Sequence, residues 1–321
     1  MDWLSLGTIR KIALALGWAA RRRLVTAGPE ATMNIAGPVP DWLLSSAAAA
    51  TLFAVMFDLG LSAVPRDFRW VIERPRLMAK ALFSVLVAVP VIAWIIARAF
   101  DVPRSAEIGI MLMAISPGAP VALRRTLRAG GHAAFAQTLH IALAIIAILS
   151  MPLGIAALNE YYGGATTVDP RDLARQVFVA QLLPLGLGML ATRFWHAGIR
   201  PFEPAIRTLA SLLLLTLVVL VLVDVWETIG GAGLRVVAAV IVITMLSLAA
   251  GHGLGGPDPT TRTATAIFSG ARNAGLALLV VAVNDAAPPV VAAVLATFVL
   301  SALTIVPYAI WQRRGTAAPS T

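Results

Sequence analysis

Residues 106–126 read AEIGIMLMAISPGAPVALRRT, an apolar run with Ser116, Pro117, Gly118 and Pro120 at its middle. About 20 residues suffice for a helix to cross about 30 Å of hydrocarbon, so the run is long enough to span a bilayer. Its two prolines lack the amide hydrogen a continuous helix needs, and each backbone group left without a partner in lipid costs several kcal/mol. Such a break persists where it is buried in protein or lines a wet cavity. A second run, residues 263–283, reads TATAIFSGARNAGLALLVVAV and is interrupted by Ser269, Gly270, Arg272, Asn273 and Gly275. One proline–glycine pair would be an ordinary packing kink. Two interrupted spans at matching positions in two halves of a chain point instead to a substrate site, because the N-termini of half-helices present unbonded N–H groups to anions.

Outward from these two runs the chain is uniformly apolar. Of 321 residues 59% are hydrophobic and 13% charged, with a mean hydropathy of +0.85; soluble domains carry about a quarter charged residues. The expected fold is an all-α polytopic membrane protein with nine spans, at about 42–64, 78–99, 106–126, 133–155, 176–191, 208–229, 234–254, 263–283 and 287–311. Residues 41–311 form one transmembrane domain, followed by a cytoplasmic tail, 312–321. Residues 1–40 hold nine apolar residues, Ile12 to Ala20, between Arg10, Lys11 and Arg21, Arg22, Arg23. That is too short to span and reads as an interfacial basic amphipathic helix, with a degenerate first helix or an uncleaved signal-like segment as alternatives. Counting that segment as a lost first helix, the broken runs are the fourth of each half, as inverted repeats of five helices require.

Basic residues follow the odd-numbered runs: Arg66, Arg69, Arg74, Arg76 and Lys80; Arg124, Arg125 and Arg128; Arg193, Arg200 and Arg207; Arg262; Arg313 and Arg314. After the even runs come only Arg98, Arg104, Arg171, Arg175 and Arg235, with acids such as Asp101, Glu107, Glu160 and Asp172. Lys and Arg stay on the cytoplasmic side, so the C-terminus is expected in the cytoplasm of a plasma (inner) membrane. Nine spans place the basic N-terminal segment outside, against the same rule; a tenth helix would remove that conflict. The net charge of +9 is divided among short loops, with no basic domain to read a nucleic acid. Anionic headgroups of the cytoplasmic leaflet are the expected partner. Trp42, Trp70, Trp195, Trp226 and Trp311 lie near span ends, as an interfacial belt requires.

The absence of cysteine excludes disulfides and thiolate chemistry. His132, His140, His196 and His252 never fall at metal-ligand spacing. Inside the spans the ionisable residues are few. Arg272 is the leading candidate, because an arginine at mid-span costs about 2.5–3.5 kcal/mol and must be paired or wet. Its structural alternative is an ion pair with Asp58, which would itself be that partner or a proton carrier. His140 could titrate near neutrality or be a hydrogen-bonded core residue. Gln137 and Thr138 read as ordinary polar contacts. Arg124 and Arg125 sit at the cytoplasmic end of a half-helix, where positive charge suits the dipole, with a substrate role as the second reading.

Met56-Phe57-Asp58-Leu59-Gly60-Leu61 followed by Pro65-Arg66-Asp67-Phe68, then Arg74-Pro75-Arg76, Pro90, Ser116-Pro117-Gly118, Ala129-Gly130-Gly131 and Arg272-Asn273-Ala274-Gly275-Leu276-Ala277 together resemble the bile acid:sodium symporter family. Their order and spacing carry the resemblance, over most of residues 42–311. It implies a panel domain and a core domain, two discontinuous helices crossing in the core, and alternating exposure of a midplane site. A nine-span chain lacking the first helix is similar to the animal members. In sodium-coupled members the first break reads Pro-Gly-Gly-Thr-x-Ser-Asn; here it is Pro117-Gly118-Ala119-Pro120-Val121-Ala122-Leu123. Hydroxyls expected on the next helix fall at Ala136 and His140. The second break, expected as Glu-x-Gly-x-Gln-Asn, is Phe268-Ser269-Gly270-Ala271-Arg272-Asn273.

These replacements leave few oxygen ligands for sodium, and Arg272 supplies a fixed positive charge in its place. The function expected is secondary transport of a small organic anion without a cofactor. Sodium coupling is in doubt, and protons moving through Asp58 or His140, or no ion at all, are the alternatives. A non-transporting membrane sensor of the same fold is the rival function. An intramembrane enzyme would need a constellation of acids and histidines, and only Asp58 and His140 are available.

Overall fold

A computed structural model describes residues 41–62, 73–163, 170–231, 233–283 and 287–316. The segment 1–40, the 65–68 motif, Trp70 and residues 317–321 lie outside the described residues. Among those described, the chain forms eleven helices: α1 (Asp41–Leu61), α2 (Pro75–Ala99), α3 (Arg104–Ala114), α4 (Pro120–Arg128), α5 (Ala133–Tyr162), α6 (170–199), α7 (Glu203–Gly231), α8 (Gly233–Leu254), α9 (Pro259–Gly270), α10 (Ala274–Val283) and α11 (Pro288–Thr316). Five stretches, Pro75–Ala99, Ala133–Tyr162, Phe178–Trp195, Gly233–Leu254 and Pro289–Arg314, are long and apolar enough to cross a membrane. The apolar runs at 106–126 and 263–283 are each divided into two short helices, α3/α4 and α9/α10, as their breakers require.

Several helices outrun their apolar cores. α5 continues past Ile155 to Tyr162, α6 begins at Pro170, and α11 continues through the start of the expected tail to Thr316. Backbone hydrogen bonds do not end where lipid ends, and polar turns at headgroup level extend the helix. Local signals set the ends. Asp258 caps α9, its carboxylate accepting from the Thr260 amide at 2.7 Å and hydroxyl at 2.8 Å. Burial would raise that carboxyl, but the Thr260 hydrogen bonds outweigh it and hold it below the ordinary value. The His132 ring Nδ1 accepts the Phe135 amide at the start of α5.

The helices pack in two groups. α1 lies against α6 and α7. Its Gly60 faces Gly188 of α6 so closely that a Cβ on Gly188 would sit 2.3 Å from the Phe57 carbonyl and 2.9 Å from Gly60 Cα. Small residues permit this backbone approach, which drives helix association in lipid. Thr192 donates to the Leu61 carbonyl and Thr51 to the Leu213 carbonyl, tying α6 and α7 to α1. In the second group α8 packs on α2, α9 and α11, and α3 packs on α11.

Charges sort to two ends. Arg98 pairs with Glu107 at 3.2 Å and donates to the Tyr161 hydroxyl; Arg104 donates to the Tyr162 carbonyl; Arg235 pairs with Asp101 at 3.2 Å. These residues come from the ends of α2 and α5 and the starts of α3 and α8, the segments following even-numbered runs. Glu107, expected as a loop acid, is buried. Asp58, Arg124, Arg207 and Ser211 gather at a second cluster.

Candidate functional site

Gly118 has φ +74°, a left-handed conformation that costs glycine nothing and other residues strain. It turns the chain between α3 and α4, and α4 restarts at Pro120, whose missing amide hydrogen is harmless in a first helical turn. The second break is sharper: α9 ends at Gly270, and α10 begins at Ala274, so only Ala271, Arg272 and Asn273 are non-helical. Ser269 and Gly270, read from sequence as part of the break, are the last turn of α9.

The two breaks meet. The Asn273 amide donates to the Ser116 carbonyl at 3.1 Å, and its side-chain Nδ2 to the Gly118 carbonyl at 3.3 Å. Asn273 Oδ1 accepts the Leu276 amide at 3.2 Å, capping α10. One asparagine therefore satisfies groups from both interruptions, which explains how backbone that lipid would not tolerate survives at this depth. Ser116, which donates to the Leu112 carbonyl, Ser269 and Asn273 are buried, as is Arg272 at 6% exposure.

Arg272 does not pair with Asp58, the structural alternative that the sequence offered for it. Its Nη2 donates to the Val85 carbonyl of α2 at 2.8 Å. That acceptor exists because of Pro90. Residues Ser84–Ala88 form a π-helical turn, in which the Val89 amide bonds to the Ser84 carbonyl five residues back. The next amide in that register, which would bond Val85, belongs to Pro90 and is missing. A mid-helix carbonyl is thereby freed, and the guanidinium takes it. Beside it the Ser84 and Ser269 hydroxyls meet at 2.8 Å.

Asp58 instead receives Arg124 Nη2 at 2.7 Å, with Arg207 Nε at 3.6 Å from its other oxygen. Electrostatics explain the choice: both cations stand at the end of the bundle that Asp58 faces. Arg124 also donates to Ser211 at 2.7 Å, so it joins α4 to α1 and α7. The sequence placed Arg124 at a half-helix end but did not reveal that it pairs with Asp58. Arg125 donates to the Ala302 carbonyl at 3.3 Å. Val85 was missed as well, although Pro90 five residues later was its signal.

His140 is 1% exposed, and among the described residues neither ring nitrogen has a partner. Its ring packs on Phe268, centroids 5.8 Å apart. Ala122, Leu123, Ala136 and Phe268, where the family resemblance places sodium ligands, are all buried in one apolar cluster with Ala119 and Leu139. Methyl groups and a phenyl ring offer no ligand to a hard cation that takes oxygen donors, so these residues do not fit sodium. Gln137 reaches the Leu59 carbonyl at 3.5 Å, and Thr138 donates to the Ala134 carbonyl.

Two broken helices joined by hydrogen bonds inside a bundle with five helices long and apolar enough to cross a membrane describe an integral membrane protein. The model of the sodium bile acid symporter family matches residues 49–231, and the chain belongs to that family. It is 23% identical over 272 residues to an uncharacterized sodium-dependent transporter, YocS, of Bacillus subtilis (strain 168), covering 84% of this chain and 79% of that one. It is 23% identical over 172 residues to a probable chloroplastic sodium/metabolite cotransporter, BASS3, of Oryza sativa subsp. japonica, covering 54% and 40% respectively. The corresponding Arabidopsis thaliana protein is 21% identical over 167 residues, 52% of this chain and 38% of its own. The chain thus spans well under half of the two plastid relatives.

Proposed function

We propose that the protein is a secondary transporter of a small organic anion, working by alternating access in the plasma (inner) membrane and not requiring sodium. The observation that carries this is the crossing itself. The breaks are joined through Asn273, yet the positions expected to hold sodium are Ala122, Leu123, Ala136 and Phe268, and a guanidinium reaches across to α2. Arg272 does what a bound cation would do there: it tethers a half-helix junction to a neighbouring carbonyl and supplies positive charge near the start of α10. Nine spans with a cytoplasmic C-terminus and two inverted repeats accommodate all eleven helices, counting α3/α4 and α9/α10 once each.

In this scheme α1, α6 and α7 are the panel and the remaining helices the core. The substrate's negative charge is met where the N-termini of α4 and α10 approach, and anionic headgroups contact the basic cytoplasmic loops. Ser116, Pro117, Gly118, Pro120, Ser269, Gly270, Arg272 and Asn273 form the pathway at the crossing, and His140 borders it. Asp58 and Arg124 span the two groups and lock them on the cytoplasmic side, so a relative movement must break that pair.

The test is uptake of a panel of labelled organic anions by proteoliposomes. At least one should be accumulated or exchanged by the wild type, and Arg272→Gln should weaken its apparent affinity. No uptake or exchange of any member would favour the non-transporting sensor instead.

A further inference from the structure

The apolar stretch Phe178–Trp195 of α6 ends at Trp195, where φ −130° and ψ 35° interrupt the helix. A short helical piece to Ile199, a 3-10 turn over Arg200–Phe202 and the start of α7 at Glu203 follow. The connection therefore emerges where hydrocarbon gives way to headgroups. It does so at the end of the bundle where Arg207 of α7 meets Asp58. Twice it sets an arginine beside aromatic rings, as Arg193-Phe194-Trp195 and as Arg200-Pro201-Phe202. Phe194, Trp195 and Phe202 are 75%, 76% and 61% exposed.

Arg193 and Arg200 are exposed as well, and among the described residues neither guanidinium has an ion-pair or hydrogen-bond partner. Other arginines at this end are spent inside the protein: Arg124 on Asp58, Arg125 on the Ala302 carbonyl and Arg262 on the Gly256 carbonyl. From 193 to 207 three arginines face a single acid, Glu203. An exposed ring alone suits hydrocarbon, and a free guanidinium alone suits water. Alternating the two within one turn suits the boundary, where aromatic rings lie at headgroup level and arginine stems follow apolar surface to reach phosphate. The exposed strip of Arg76, Lys80 and Phe83 on α2 is the nearest comparison, but it offers a single ring.

We propose that residues 193–207 anchor the α1, α6 and α7 group to a surface of anionic phospholipid, with Phe194, Trp195 and Phe202 seated among the headgroups and Arg193 and Arg200 on lipid phosphates. The contact narrows the headgroup role given above to one turn, and it rests on that reading only for the side of the membrane. It fastens the helix group that has no broken helix, leaving the crossing free to move against it.

The chain has no cysteine, so Ala197→Cys, at an exposed position in the turn, takes a single fluorescent label. The full-length protein is placed in nanodiscs of phosphatidylcholine, with or without phosphatidylglycerol, and the label is quenched with acrylamide, which is uncharged. Both leaflets carry the same lipid and nothing is transported, so failure here is distinguishable from failure of transport or of the assigned orientation. Quenching should fall about two- to threefold when phosphatidylglycerol is present, and the difference should shrink in high salt. Arg193→Gln combined with Arg200→Gln should remove the difference, and Trp195→Ala should raise quenching in both lipids. Arg76→Gln combined with Lys80→Gln, which removes as much charge elsewhere, should change neither. Quenching indifferent to phosphatidylglycerol, a difference kept without Arg193 and Arg200, or one lost equally without Arg76 and Lys80 would overturn the proposal. Shielding seen only in discs that hold two copies would overturn it too, assigning the turn to a second copy of the chain.

Discussion

Replacing Arg124 by Met should destabilise the protein, and replacing Asp58 by Asn in the same chain should restore most of the loss. Removing one partner of a fully buried ion pair costs about 3–5 kcal/mol, because the other charge is left in a poor solvent. Here Asp58 has a side chain only 6% exposed and Arg124 one 18% exposed. Asp58 would keep Arg207, but that contact is 3.6 Å long and its arginine is 59% exposed, so it compensates little. The expected cost is therefore at the low end, about 2–3 kcal/mol, or a drop of about 5–10 °C in the unfolding midpoint. Asp58→Asn alone should cost less, about 1 kcal/mol, since both arginines can turn toward headgroups. In the double variant no charge is stranded, and the midpoint should lie within about 3 °C of wild type. The assay is thermal unfolding of the four proteins in one detergent, read as a double-mutant cycle. A double variant whose loss equals the sum of the two single losses would refute the pairing.

Other outcomes follow from single contacts. Asn273→Ala orphans the Gly118 carbonyl, whereas the Leu276 amide keeps the residue-273 carbonyl at 3.1 Å. The loss should be about 1–2 kcal/mol, and a thermal midpoint lowered by about 4 °C checks it. Gly188→Val places a Cβ 2.3 Å from the Phe57 carbonyl and should abolish monodisperse protein on size-exclusion chromatography, whereas Gly186→Val, with nothing within 4 Å, should not. A reporter fused at the C-terminus should be active only when it is a cytoplasmic reporter; activity of a periplasmic reporter there would reverse the topology.

The architecture was largely legible because lipid imposes two coarse rules. Apolar length marks a span, and a breaker at mid-span marks buried backbone. Pro117-Gly118 and Gly270-Ala271-Arg272 therefore mark both interruptions in the sequence itself. What they could not reveal was pairing across distant helices. Arg272 and Asp58 looked like partners because they were the conspicuous opposite charges inside spans, but a carbonyl can satisfy an arginine, and hydropathy does not mark carbonyls. The Val85 acceptor depends on a π-turn, which has no side-chain periodicity of its own; only Pro90 hints at it. In the sequence Arg124 is a loop-proximal cation, because sequence gives depth along a span but not the helix a side chain faces. Helix ends at Tyr162 and Thr316 were missed because polar turns at headgroup level carry no apolar signal.

The most direct test of the account is initial uptake of an organic-anion substrate by wild-type proteoliposomes, with external sodium exchanged for choline at constant osmolarity. With Ala122, Leu123, Ala136 and Phe268 at the expected ligand positions and Arg272 holding the Val85 carbonyl, the rates in sodium and choline should agree. An uptake rate that falls several-fold in choline, and recovers as sodium is returned, would contradict it.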